Sequence, residues 1–77
     1  MATTYTPDEL QAAAEADRRG MRDGEDAEAF TAEYQSAAEI EQLAAAAADQ
    51  HGYSGIVRAD YISAYVYSFG KAQVARG

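Results

Sequence analysis

The chain has 77 residues, no cysteine and a formal net charge of −7. That length fits a single domain, residues 1–77, with a thin core, and the lack of thiols excludes a disulfide framework. The acidity disfavours direct contact with nucleic acid or an anionic membrane, because phosphate recognition requires clustered Lys and Arg.

The apolar fraction of 48% overstates the core, since 19 of those residues are alanine. Leu, Ile, Val and Phe together number ten, and the six tyrosines supply much of the remaining bulk. Alanine, glutamate and glutamine favour helix strongly, which lowers the cost of ordering such a chain. No apolar run approaches the roughly 20 residues that span a bilayer. The start MATTYTPDEL lacks the basic and apolar regions of a secretion signal, so a cytoplasmic protein is the expectation.

The first element is announced by Thr6-Pro7-Asp8-Glu9. Thr6 fits an N-cap, Pro7 the first helical position and Glu9 the return partner of a capping box. Tyr5 and Leu10 are spaced for a hydrophobic staple across that cap. Leu10, Ala13, Ala14 and Met21 share a face, which predicts helix 1 over about 7–23 with Gly24 as its C-cap glycine. Gly20 inside this helix predicts close approach of another helix. Arg18, Arg19 and Arg22 then fall in its last turns, where the dipole favours cations. Gly20 and Gly24 have GxxxG spacing, which carries little weight in so polar a sequence.

A turn at Asp23-Gly24-Glu25 leads to a long acidic, alanine-rich helix 2 over about 26–51, roughly 37 Å at 1.5 Å per residue. Phe30, Tyr34, Ala37, Ala44 and Ala48 share one face, extended by Ile40, Leu43 and Ala47. Glu33 and Glu41 fall within the broad apolar stripe, either at its rim or paired across an interface. His51-Gly52 ends the helix, with Gly52 in the left-handed conformation.

The last segment, ADYISAYVYSFGKAQVAR, reads either as a strand or as a helix. Its β-branched and aromatic residues suit a strand, but no second strand exists to satisfy its backbone. Read at helical period, Tyr61, Ile62, Tyr65, Phe69 and Ala72 form a stripe, which predicts helix 3 over about 56–75. The expected fold class is all-α: a small three-helix bundle made of a helical hairpin and an aromatic-rich third helix.

Nothing in the sequence points to catalysis, a cofactor or a metal site. His51 is the only imidazole, the serines lack a nucleophile context, and Asp23-Gly24-Glu25-Asp26 lacks the ligand spacing of a calcium loop. The expectation is a protein without enzymatic activity.

Two surfaces remain. Residues 23–49 carry eight carboxylates and no Lys or Arg; Asp23, Glu25, Asp26, Glu28, Glu39 and Asp49 form a candidate acidic band for binding a partner. Such a band is either a solubilising face or complementary to a basic groove, where carboxylates imitate phosphates. On helix 3, Ile56, Tyr67 and Val74 lie together on the side away from the Tyr61–Phe69 stripe, a candidate apolar surface for a partner or a homodimer. In size and acidity the chain resembles phage-encoded inhibitors of host defence, anti-CRISPR proteins among them, a likeness that covers no motif. It implies binding to a basic, nucleic-acid-handling protein complex and occlusion of its nucleic-acid path. The alternative is a homo-oligomeric structural or assembly factor joined through the Tyr-rich helix 3.

Overall fold

A computed structural model describes residues 4–77; the first three residues of the expected domain lie outside the described residues. The chain forms the expected all-α three-helix bundle: α1 spans Pro7–Ala29, α2 Ala37–Gln50 and α3 Gly55–Arg76. None of these helices is long and apolar enough to cross a membrane. The ambiguous aromatic segment is helical throughout.

Thr6 and Glu9 make the reciprocal capping box that their spacing predicts. α1 does not stop at Gly24, however. It runs on to Ala29, and Gly24 is an interior residue without the positive φ of a C-cap glycine. The reason is tertiary. A Cβ built on Gly20 would sit 2.5 Å from the Tyr61 carbonyl oxygen, and one on Gly24 would press still harder on that of Tyr65. Both glycines therefore let the α1 backbone lie directly on α3, so the GxxxG spacing is a packing seam after all. The three arginines consequently sit in mid-helix, and the last turn of α1 holds no basic residue.

Helix 2 is correspondingly shorter than expected. It starts at Ala37, where Ser36 and Glu39 form a second capping box, and occupies 14 residues. At its other end the Gly52 N–H donates to the Asp49 carbonyl and the Tyr53 N–H to that of Ala48, with Gly52 at φ 75. This is a Schellman closure, as the His51-Gly52 pair predicts. Phe30 and Tyr34, expected on the buried face of helix 2, instead lie in the connection and are 91% and 78% exposed.

α1 and α3 run parallel: Gly20 lies against Tyr61, Gly24 against Tyr65 and Glu28 bonds Arg76. α2 runs antiparallel to α3, with Gln35 bonded to Gln73 just ahead of its start and Asp49 to Arg58 near its end. α3 contacts both other helices extensively, whereas α1 and α2 hardly touch, so the first two helices are held together through α3 rather than by packing on each other. The core is built from large rings against small residues: Tyr61, Tyr65 and Phe69 cluster with Ala16, Ala44, Ala48 and Ile40. The buried face of α1 is Ala13, Ala16, Gly20, Gly24 and Glu28, while Leu10 and Met21, expected inside, are exposed. Smallness rather than apolar bulk decides which side of α1 meets α3. Leu10 and Tyr5, the expected staple, are 53% and 39% exposed. Glu33 and Glu41 both face solvent, which makes the apolar stripe narrower than the wheel suggests. The radius of gyration, 13.1 Å, exceeds the about 11.5 Å typical of a compact chain this long. The excess reflects a rod-like body set by the 23-residue α1.

Candidate interaction site

The connection between α1 and α2 is held at both of its ends. On the α1 side the Glu28 carboxylate, 5% exposed, accepts two hydrogen bonds from Arg76, at 2.8 Å from Nε and 2.9 Å from the terminal nitrogen. A carboxylate this deep needs such a partner, and the planar guanidinium fork satisfies both of its oxygens. The same bonds hold the Arg76 pKa above its ordinary value. On the α2 side the Gln73 side chain clamps Gln35: its oxygen accepts from the Gln35 N–H at 2.8 Å and its amide donates to the Gln35 carbonyl at 3.0 Å. Thr31 donates its hydroxyl to the Ala27 carbonyl at 2.7 Å, a second bond beside the one that carbonyl accepts from the Phe30 N–H where α1 ends. Both clamps reach the final turns of α3, and Phe30, Glu33 and Tyr34 lie between them with their side chains exposed.

The six carboxylates of the expected band have separate fates. Glu25 and Asp26 are exposed on the last turns of α1 and make no ion pair among the described residues. Glu28 is buried and consumed by Arg76, so it offers nothing to a partner. Asp23 is partly buried; it accepts from the Tyr61 hydroxyl at 2.5 Å and faces the His51 Nε2 at 3.3 Å. Burial, with that bond to Asp23, pushes the Tyr61 pKa well above the ordinary tyrosine value. Glu39 is exposed but spends a side-chain oxygen on the Ser36 N–H, and the Ser36 backbone and hydroxyl bonds hold its carboxyl below the usual range. Asp49 pairs with Arg58 at 3.0 Å on the surface, a bond of little energetic weight. The band therefore divides into α1 and α2 parts. Of its members, Glu25 and Asp26 have no bonded partner among the described residues; they lie on the turns of α1 that precede the connection, and Glu33 within the connection is exposed likewise.

His51 stands apart from this region. Its ring faces Asp23, stacks on Tyr53 at 5.2 Å and meets the Tyr61 edge at the same distance. Arg19 donates to the Tyr53 hydroxyl at 3.0 Å, so this cluster ties α1 to the α2–α3 turn. No group of three or more metal-ligating side chains converges among the described residues.

On α3, Tyr67 and Val74 are 60% and 75% exposed, whereas Ile56 is half-buried at the helix start. The apolar surface expected from the three residues thus reduces to Tyr67 and Val74 with the open helix surface at Gly70 between them. Lys71 lies over the Tyr67 ring, 5.9 Å from its centroid.

Helical periodicity over residues 26–51 runs across Phe30 and Tyr34 and so hides their exposure. Ser36-Ala37-Ala38-Glu39 is the signal that locates the connection, a capping-box pattern submerged in alanine and glutamate. The chain matches no protein-family model, no curated protein and no solved structure.

Proposed function

We propose that this protein is a non-enzymatic interaction protein that docks on a basic, nucleic-acid-handling surface of a larger protein complex and blocks it, as a phage-encoded inhibitor of host defence would. The observation that carries the reading is the clamped connection: Phe30 and Tyr34 project into solvent with exposed Glu33 between them in the chain, and Glu25 and Asp26 are exposed on the turns of α1 that lead into it, none of these acids having an ionic partner among the described residues. Large aromatics held in place by Glu28–Arg76 and Gln35–Gln73 need little further ordering on binding, which favours affinity. Carboxylates around them select a basic rim and speed encounter with it. Occlusion of the nucleic-acid path is then steric and electrostatic.

The test uses the immobilised protein, a lysate of its source cells and mass-spectrometric identification of what is retained. The expected result is a nucleic-acid-binding protein, released by salt and displaced by added DNA or RNA. A Phe30→Ala/Tyr34→Ala variant and a Glu25→Lys/Asp26→Lys/Glu33→Lys variant should each lose it while keeping native helix content. Retention of the same protein by both variants, or indifference to competing nucleic acid, would overturn the proposal.

A further inference from the structure

Among the described residues nothing requires a glycine at position 70. The interior glycines of α1, Gly20 and Gly24, admit the backbone of α3, and Gly52 and Gly55 adopt positive φ. Gly70 does neither: it lies in the interior of α3, and an added Cβ would meet nothing within 4 Å. A glycine there weakens the helix relative to alanine, with no compensation from the rest of the monomer. It is flanked by the two most exposed apolar side chains of α3, Tyr67 three residues before and Val74 four residues after. With Ser63 these positions have the 4-3-4 spacing of a helix–helix seam.

We propose that α3 of a second copy crosses at Gly70, antiparallel about a two-fold axis, setting Tyr67 of each copy against Val74 of the other. The 67–74 pair is symmetric about the Gly70–Lys71 step, so an antiparallel crossing matches each residue to its counterpart without offset. Gly70 does between copies what Gly20 and Gly24 do between α1 and α3: it lets one helix lie on another. Charge opposes contact less on this side than on the acidic faces. Two bodies of −7 repel, and the line from Ser63 to Gly77 carries no carboxylate, its charges being Lys71 and Arg76. Arg76 is already bound to Glu28, and Lys71 rests over its own Tyr67, leaving its aliphatic stem to cover the opposing glycine. The apolar patch is small against the about 1,200 Å² typical of a stable interface, so the dimer is weak, forming at about 0.1–1 mM protein. This self-association is independent of the partner reading above.

Sedimentation equilibrium from micromolar to millimolar protein tests it. The mass should climb with concentration from the monomer value of 8.2 kDa towards twice that. Gly70→Leu should hold the mass at the monomer value across the range, and at dilute concentration it should melt higher than wild type, because leucine favours helix. Opposite effects on association and on monomer stability separate the proposal from simple unfolding. Tyr67→Asp should also abolish the rise without loss of helix signal. A wild-type protein that stays monomeric throughout, or a Gly70→Leu variant that associates as wild type does, overturns the crossing.

Discussion

Gly24→Ala places a methyl group in the seam between α1 and α3, where two opposing effects can be weighed. Alanine in a helix interior is favoured over glycine by about 1 kcal/mol, so in isolation the change stabilises α1. In the bundle the new Cβ falls on the backbone of Tyr65, at its carbonyl oxygen, carbonyl carbon and Cα. No side-chain rotation relieves a clash with backbone, so the two helices must separate by about 1 Å to restore ordinary contact. A gap of that size forfeits a quarter to a half of the dispersion energy along the seam, and overpacking of this kind costs about 1–3 kcal/mol, with backbone clashes at the upper end. The net expectation is destabilisation by about 1–2 kcal/mol, a fall in Tm of about 4–16 °C for a domain this small. Gly20→Ala should act alike, and the double variant should cost less than the sum, because the first methyl group already opens the seam. Gly70→Ala, with nothing within 4 Å, is the internal control; it should raise the dilute-solution Tm by about 4–8 °C. Thermal melts followed by circular dichroism at 222 nm give all four numbers. A Gly24→Ala protein as stable as wild type would refute the close approach of α1 to α3.

Two further outcomes follow from bonds that join distant parts of the chain. Gln73→Ala removes both hydrogen bonds to Gln35; it should cost about 2 kcal/mol and make residues 31–36 the first site cut in limited proteolysis, whereas cleavage elsewhere would show that the clamp does not hold the connection. Alkaline pH should unfold the protein through Tyr61, whose raised pKa means the folded state keeps a proton that the unfolded state releases near the ordinary value of 10.0. That stabilisation is complete below pH 10 and declines as pH rises through the folded value, so denaturant midpoints should fall from about pH 10 upward. In Tyr61→Phe the fall should be shallower; an unchanged slope would remove Tyr61 from the cause.

Several features were fixed locally and were readable in the sequence. The α1 start is a matter of Thr6, Pro7 and Glu9 within one turn, and the α2 end of a glycine in the left-handed region at Gly52. The helical state of the third segment followed from the lack of a pairing strand, and its buried ring stripe of Tyr61, Tyr65 and Phe69 from period alone. Solvent position of the acidic residues was partly legible too, as Glu25, Asp26 and Glu39 show.

Tertiary structure decided the rest, for a common physical reason: the deciding partner lies far along the chain. Gly24 reads as a helix stop because glycine ends helices more often than it lines them, and only the Tyr65 backbone, 41 residues away, gives it an interior role. Glu28 reads as a surface acid, since nothing in its own helix marks it for Arg76, 48 residues on. The connection at residues 30–36 was hidden because alanine and glutamate favour helix on both sides of it, and its position is set by Gln73 as well as by the Ser36 cap. Phe30 and Tyr34 then became exposed rather than buried. In a chain whose helices pack by small residues against rings, hydrophobic periodicity locates the rings of α3 and the alanines Ala13, Ala44 and Ala48, but not the inward place of Gly24 or Glu28, because a residue with no apolar side chain leaves no apolar signal.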